Sequence, residues 1–379
     1  MNTDRIIGQL QAVLKKLASR RHVRHAVIGV ETGDSSLRWI ESTGMATLDG
    51  TPLQENTPYL IASVTKLYIA SAVLKLHEQG VVQLDSSISD YLPGSMTGGL
   101  HTLNGTDFTA DITIRNLLSH TTGLPDWLED RPPGGKSIVE QLDDEEDRLI
   151  TVQDAITYVR ENLIPHFPPQ PMDGSPQKVR YSDTNFQLLI AILEARMKMP
   201  VHLVFEELIY QPLGLHHTFH PGQQPPDAIP KPAAVWLGDQ PFTKPLLLKS
   251  FRDLYSTADE QLKFLRALIR GELFQDPGTA ALMQRHWNRF GFPRDVASLR
   301  QPGWPIEYGL GMMRFRLPRL FTPFNPMPAV VGHSGSTGSW LFYCPHHDLY
   351  LCGNVSQATA GALPYKFIPK LIQLLDSVN

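Results

Sequence analysis

The chain has 379 residues, of which 42% are hydrophobic and 19% are charged, and its formal net charge is -4. This composition predicts a globular protein with one large domain or two interlocked domains. The small negative charge gives no electrostatic reason to expect nucleic acid or an anionic membrane as the partner, so a small neutral substrate is favoured.

The N-terminal segment, residues 1–21, has the spacing of an amphipathic helix. Apolar residues recur every three or four positions at Ile6, Leu10, Leu14 and Leu17. The segment lacks the continuous apolar core and small-residue cleavage site of a secretory signal, and no later run approaches the length of a membrane span. The sequence therefore predicts a cytoplasmic protein with no membrane partner.

The next part of the chain predicts the beginning of a sheet. His25–Glu31 and Ser36–Ser42 alternate like two strands of a hairpin joined through Gly33-Asp34. Helical patterns then dominate as far as residue 271, separated by long loops rich in Pro, Gly and Asp. The predicted helices are Ser63–Gln79, Thr113–Ser119, Thr151–Asn162, Asp183–Lys198, Val201–Tyr210 and Ala258–Ile269.

Strand patterns return near the end of the chain, before an apolar helix over Phe367–Leu375. Two cysteines, Cys344 and Cys352, are too few to define a disulfide framework, and we expect both to be buried strand residues. The predicted strands are Tyr308–Leu317, Ala329–Gly332, Ser339–Cys344 and Leu349–Asn354.

The distribution of these elements predicts an α/β architecture in two parts. Because strands lie at both ends of the chain and helices in the middle, we expect a sheet domain built from residues 1–62 and 300–379. Residues 63–299 would form a mainly helical domain. Clefts usually lie where domains meet, so the active site is expected at the seam.

Ser63-Val64-Thr65-Lys66 is a Ser-x-x-Lys motif at the start of a predicted helix. Residues three apart on a helix share a face, so the Lys66 amine can contact the Ser63 hydroxyl and help to activate it for acyl transfer. A chain of this length contains roughly one such match by chance. Ser175-Pro176-Gln177-Lys178 is a second match, but its Pro-rich surroundings cannot hold a helix.

Two further motifs follow in chain order. Tyr181-Ser182-Asp183 is predicted to open a helix, and His333-Ser334-Gly335 lies between strand patterns. The order Ser-x-x-Lys, Tyr-x-Asn/Asp and His/Lys-x-Gly resembles the serine hydrolases of the class C β-lactamase and D-alanyl-D-alanine peptidase superfamily, which includes esterases. Short sequence motifs at Leu117–Pro125 and Pro212–Leu215 are also similar to motifs that recur in that family.

The resemblance covers the chain from about residue 28 to the last helix. It implies an antiparallel sheet flanked by the N- and C-terminal helices, with a large helical domain added. It also implies a serine hydrolase that acts on a small ester or amide and needs no cofactor and no metal. The oligomeric state is left open.

The resemblance implies a role for each catalytic residue. Ser63 would be the nucleophile and would form an acyl-enzyme, while Lys66 would accept or relay its proton. Tyr181 would be the general base for acylation and the acid for the leaving group, provided that cations such as Lys66 hold the pKa of its phenol well below its usual value of about 10. The backbone N–H groups of Ser63 and Ser336 would form the oxyanion hole.

Substrate binding is expected at Asp183, His333, Ser334 and Gly335, and two of these depart from the family pattern. Where many relatives have Asn two residues after the tyrosine, Asp183 can only accept hydrogen bonds when ionised, and it would hold Lys66 charged if adjacent. His333 in place of lysine weakens the fixed positive charge for a substrate carboxylate. Both departures disfavour β-lactams and favour an ester or lactone, with a D-amino acid amidase or peptidase, or a weak β-lactamase, as the alternatives.

Other interpretations of the sequence fit less well. Gly332–Ser336 nearly matches the nucleophile elbow of α/β-hydrolases but fails at the fifth position. The histidine clusters at residues 216–220 and 346–348 lack a second ligand set at zinc spacing, so surface histidines are the simpler interpretation. A non-catalytic, ligand-binding relative on the same fold stays an alternative, although all three catalytic motifs are present.

Overall fold

The computed structural model describes residues 3–142, 146–171, 177–223, 229–321 and 326–376. It divides into two compact units. The first comprises residues 1–67, 210–273 and 314–379, and the second comprises residues 68–209 and 274–313. Among the described residues, no helix combines the length and the apolar character needed to cross a membrane.

The helices follow one another along the whole chain, and most of the longer ones match a predicted helix. Their bounds are α1 (Thr3–Ala18), α2 (Thr65–Glu78), α3 (Gly94–Thr97), α4 (Ile114–Ser119), α5 (Val152–Asn162), α6 (Asp183–Met197), α7 (Val201–Phe205), α8 (Gln211–Leu213), α9 (Pro245–Ser250), α10 (Ala258–Arg270), α11 (Gly278–Ala281), α12 (Val296–Arg300) and α13 (Pro364–Asp376).

The longer strands lie near the two ends of the chain, as predicted. The strand bounds are β1 (His25–Thr32), β2 (Arg38–Gly44), β3 (Tyr59–Leu60), β4 (Thr102–Leu103), β5 (Thr106–Asp107), β6 (Trp236–Leu237), β7 (Gln240–Pro241), β8 (Tyr255–Ser256), β9 (Asn288–Arg289), β10 (Glu307–Tyr308), β11 (Met313–Phe315), β12 (Val330–Ser334), β13 (Trp340–Cys344) and β14 (Leu349–Asn354).

An antiparallel sheet forms the core of the first unit. Its neighbouring strands run in the order β2, β1, β14, β13, β12, so the two ends of the chain meet in one sheet. The N-terminal helix α1 packs on β1, β2 and the C-terminal helix α13, while α10 packs on β1, β13 and β14. The predicted class, an α/β fold with an antiparallel sheet and flanking terminal helices, is confirmed.

The central strands are buried along almost their whole length. Every residue of β1 from His25 to Glu31 is buried, and so is every residue of β14. Continuous burial is typical of strands whose two faces are both covered. The prediction that Cys344 and Cys352 are buried strand residues is confirmed, and both thiols are free.

The second unit is mainly helical. Helix α6 packs on α4, α5 and α7, and its residues from Thr184 to Leu193 are all buried. A helix that is apolar on all sides is stable only when it is surrounded by protein. The short strands β9 and β10 pair antiparallel in the same unit.

Several predicted bounds differ from the structure. Strand β12 continues to Ser334, so His333 and Ser334 lie on a strand and not between strands. Helix α2 begins at Thr65 rather than Ser63, because Ala62–Val64 form a 3₁₀ turn. The strand predicted over 308–317 is interrupted between β10 and β11, where a Cβ atom on Gly309 would lie 2.1 Å from the Met283 carbonyl oxygen. Residues 210–273, expected in the helical domain, belong to the first unit, because α10 packs on the sheet.

The contact between Gly353 on β14 and Trp340 on β13 provides a test of the sheet register. A Cβ atom on Gly353 would lie 2.0 Å from Cζ2 of the fully buried Trp340 ring. Gly353→Ala should therefore lower the free energy of unfolding by about 1 to 3 kcal/mol, measured by urea denaturation.

Gly8, in the exposed interior of α1, is the matched control. No atom lies within 4 Å of a Cβ built there. Gly8→Ala should raise the free energy of unfolding by about 0.5 to 1 kcal/mol, since alanine restricts the unfolded chain more than glycine. Equal effects of the two substitutions would contradict the register.

Candidate active site

Ser63 lies in the 3₁₀ turn that joins β3 to α2. Its hydroxyl is half-buried, and the buried Lys66 side chain donates a hydrogen bond from Nζ to Ser63 Oγ over 3.1 Å. Lys66 lies in the first turn of α2, three residues after Ser63, so the two side chains meet although the α-helix starts two residues after Ser63. The structure therefore brings together the serine and the lysine of the motif.

Side chains from β14 and from the turn before β13 hold the segment that precedes Ser63. Ser339 Oγ donates to the Ile61 carbonyl over 2.6 Å. Thr337 Oγ1 and Asn354 Nδ2 both donate to the Leu60 carbonyl over 3.1 Å. These buried hydrogen bonds tie the turn that carries Ser63 to the sheet.

Gly335 makes the closest backbone approach to this turn. A Cβ atom on Gly335 would lie 2.6 Å from the Ile61 carbonyl oxygen and 2.9 Å from Ala62 Cβ. Ala62 itself has a φ of 47°, a left-handed conformation that costs an L-residue roughly 1 to 2 kcal/mol. Glycine is therefore needed at this position of the His-Ser-Gly motif, because a side chain there would displace the turn that carries Ser63.

Two backbone amides of the first unit are available as donors. Within the described parts of the chain, the N–H groups of Ser63 and Ser336 form no hydrogen bond to protein. Ser336 follows Gly335 directly and is exposed. Since nearly all buried backbone donors are paired, a half-buried free N–H beside a nucleophile is suited to stabilise an oxyanion.

His333 and Ser334 lie on β12 and are both buried. Burial, with a contribution from the positive charge of Lys66, lowers the pKa of His333 to about 3. Its Nδ1 donates to the Ser334 carbonyl over 2.7 Å. His333 is therefore neutral at neutral pH and provides no positive charge. The Ser334 and Tyr365 hydroxyls share a hydrogen bond of 2.7 Å.

Tyr181 and Asp183 belong to the second unit. Tyr181 is buried, and its ring stacks on that of His120 with a centroid distance of 4.4 Å. Asp183 is the first residue of α6, and its backbone N–H donates to Asp126 Oδ2 over 2.9 Å. Sequence reasoning did not find His120 or Asp126 as partners of this motif, because each lies more than fifty residues away along the chain.

Carboxylates gather around the start of α6. Burial is the main cause that raises the pKa of Asp126 well above its usual range, and the charge of Asp183 adds to it. Burial also raises the pKa of Glu129 to about 7, although Arg300 opposes the shift. Asp126 Oδ2 accepts a further hydrogen bond from Gln301 Nε2 over 2.9 Å. The charge of Asp183 thus acts on both neighbouring carboxyl groups and disfavours their ionisation.

The second Ser-x-x-Lys match and the histidine clusters add no group to the candidate site. Ser175 and Pro176 of the second Ser-x-x-Lys match lie outside the described residues. The interpretation of surface histidines holds for the exposed His216 but is wrong for His220, which is buried. No group of three or more His, Cys, Asp or Glu side chains in the described ranges is arranged to hold a metal ion.

Comparison with known proteins places this site in a family context. The model of a family described as Beta-lactamase matches residues 4–361. The D-alanyl-D-alanine-carboxypeptidase/endopeptidase AmpH of Escherichia coli K12 is 26% identical over 285 residues, which cover 75% of this chain and 66% of AmpH, slightly under two thirds. Esterase EstB of Burkholderia gladioli is 27% identical over 336 residues, covering 80% of this chain and 79% of EstB.

A solved structure is also similar to this chain over most of its length. A D-stereospecific amidohydrolase from a Streptomyces species superposes with a TM-score of 0.66 at 25% identity, covering 94% of this chain and 97% of that protein.

The buried His333 predicts a defined acid sensitivity. Its pKa in the folded protein, about 3, lies below the unfolded value of 6.5, so the unfolded chain binds the proton first as the pH falls. His333 should lower the free energy of unfolding by about 1.4 kcal/mol per pH unit between pH 6.5 and 3, and His333→Asn should remove that part of the slope. Urea denaturation at pH 7, 6 and 5 measures both slopes.

Two other histidines are the controls for this measurement. His25 is also buried with its pKa lowered to about 4, and it contributes equally to the parent and the variant. His216→Gln, at an exposed histidine, is measured in parallel as the control for the loss of a histidine side chain. Equal slopes for the parent and His333→Asn would contradict the prediction.

Proposed function

The chain belongs to the beta-lactamase family, and we propose that it is a serine hydrolase that cleaves small carboxylic esters through an acyl-enzyme on Ser63. The observation that carries the proposal is the 3.1 Å hydrogen bond from the buried Lys66 ammonium to the Ser63 hydroxyl. A buried cation at this distance stabilises the developing alkoxide.

The proposed reaction assigns a task to each group. Ser63 Oγ attacks the ester carbonyl while the phenolate form of Tyr181 takes the hydroxyl proton, and the tetrahedral oxyanion is stabilised by the N–H groups of Ser63 and Ser336. Tyr181 then gives the proton to the leaving alkoxide as the C–O bond breaks. Water attacks the acyl-enzyme by the same proton route in reverse, which releases the acid and restores Ser63. Lys66 stays charged and acts electrostatically.

The charge of the first unit supports a neutral substrate. His333 occupies the position where relatives with lysine hold a fixed positive charge, and its burial keeps it neutral. A substrate carboxylate would lose the ion pair that such a lysine provides, whereas an ester has no charge to pair. The similarity to the esterase EstB across most of both chains agrees with this choice.

The carboxylates around the start of α6 favour a second candidate. The charge of Asp183 raises the pKa of both Asp126 and Glu129, and this carboxylate would attract a substrate ammonium group. A D-amino acid amide or ester has an ammonium next to the scissile carbonyl. The similarity to the Streptomyces amidohydrolase points the same way.

Covalent labelling tests the nucleophile. A fluorophosphonate probe should label the protein on Ser63, and Ser63→Ala should abolish both labelling and the turnover of p-nitrophenyl esters. Ser175→Ala, which removes the serine of the other Ser-x-x-Lys match, is the matched control and should keep the parent's labelling. Peptide mapping that finds the label on any other residue would refute the proposal.

Asp183→Asn distinguishes the two substrate classes. For a neutral p-nitrophenyl ester, the substitution should change kcat/KM by less than about twofold, because the lost negative charge attracts only a positively charged substrate. For a D-phenylalanine p-nitroanilide, with its ammonium group, kcat/KM should fall about fivefold to tenfold. A parent enzyme that prefers the anilide would favour the amidase over the esterase.

A further inference from the structure

His120 adopts a left-handed backbone conformation, which is uncommon for residues other than glycine. It follows α4 with φ of 56° and ψ of 35°, in the left-handed region, and it is fully buried. Glycine or asparagine would adopt this conformation more readily. Residues held in such sparsely populated conformations cluster at functional sites.

His120 holds the backbone on both sides of Tyr181. Its carbonyl oxygen accepts a hydrogen bond from the Arg180 N–H over 3.0 Å. Its Nδ1 accepts one from the Ser182 N–H over 3.2 Å. The residues immediately before and after Tyr181 are thus both bonded to one histidine, which fixes the direction in which the tyrosine side chain leaves the backbone.

A chain of hydrogen bonds defines the tautomer of His120. Thr122 Oγ1 accepts from the Leu124 N–H over 3.0 Å and donates to Asn185 Oδ1 over 2.8 Å. The Asn185 amide nitrogen must then donate to His120 Nδ1 over 3.0 Å. Nδ1 therefore has a lone pair that faces two donors. In an imidazolium, the N–H at Nδ1 would face the Ser182 N–H and the Asn185 amide donor. His120 is therefore neutral, with its proton on Nε2.

The imidazole ring also packs against an aromatic cluster. Its centroid lies 4.4 Å from that of Tyr181, 4.6 Å from Tyr308 and 5.2 Å from Phe186. Tyr181 and Tyr308 meet edge to face at 6.1 Å. Rings in contact on two sides leave the Tyr181 phenol little freedom to rotate.

We propose that His120 is a positioning residue for the proton transfer by Tyr181. It anchors the backbone at Arg180 and Ser182, and its neutral ring stacks on the phenol, so the phenolic oxygen is held in one place without a proton being exchanged with the imidazole. The inference rests on the role proposed for Tyr181 above. A misplacement of about 1 Å in a reacting group can cost roughly a hundredfold in rate.

Two substitutions separate the contributions of His120. His120→Asn keeps a side-chain acceptor near Nδ1 and tolerates the left-handed backbone, but it lacks the ring; His120→Ala lacks both. For a p-nitrophenyl ester we expect kcat to fall about tenfold in His120→Asn and about a hundredfold in His120→Ala, with KM within about twofold of the parent. A parent-like kcat in His120→Ala would overturn the proposal.

A double-mutant cycle with Tyr181→Phe tests whether His120 acts through the tyrosine. We expect Tyr181→Phe to be severely impaired and His120→Ala to reduce its residual rate no further. If the two losses multiply, the role of His120 is refuted while that of Tyr181 stands. If Tyr181→Phe alone has the parent's activity, the role of Tyr181 is refuted first. Should His120→Ala fail to fold, His120→Asn replaces it in the cycle.

His77→Ala is the matched control for loss of a histidine in the same unit. The His77 Nδ1 bonds the Val82 carbonyl over 3.0 Å, at the end of α2. This variant should keep the parent's kcat even if its urea midpoint falls. All rates refer to protein shown to be folded by circular dichroism, and an equal fall of kcat in His77→Ala would overturn the specific role of His120.

Discussion

The position of Ser63 depends on the close approach of the Gly335 backbone to the turn before α2. No side chain fits between Gly335 and the Ile61 carbonyl. Ala62 is held in a left-handed conformation at the same point, so the turn stores backbone strain that its surroundings must offset. The buried hydrogen bonds from Ser339, Thr337 and Asn354 supply that restraint. The sheet thus determines where Ser63, the proposed nucleophile, lies.

Charge is distributed differently in the two units. In the first, Lys66 is buried beside Ser63 and its charge helps to keep His333 neutral, since two buried cations would repel each other. In the second, the buried Asp126 and the half-buried Glu129 resist ionisation, and the charge of Asp183 contributes to both shifts. The first pattern suits an uncharged acyl group, and the second would favour a cationic one. The choice between an ester and a D-amino acid amide therefore depends on whether the substrate binds near the neutral His333 or near the carboxylate of Asp183.

Much of the fold could be predicted because local patterns and burial agree. The strands His25–Glu31 and Leu349–Asn354 and the helices from Thr113 and Thr151 were found within a residue or two. The break between β10 and β11 was not predicted, because it depends on the contact of Gly309 with the distant Met283 carbonyl. The placement of 210–273 with the sheet likewise depends on which surface α10 covers, and an amphipathic pattern does not identify its partner.

For the candidate site, the order of the three motifs in the sequence determined the family and the residues that the proposed mechanism uses. Residue type and spacing were sufficient for this, since a hydroxyl and an amine three positions apart must share a helical face. Only the tertiary structure decided the state of those groups. The neutrality of His333, the available N–H groups of Ser63 and Ser336 and the support of Tyr181 by His120 all depend on burial and on contacts between distant segments, and no local pattern encodes them.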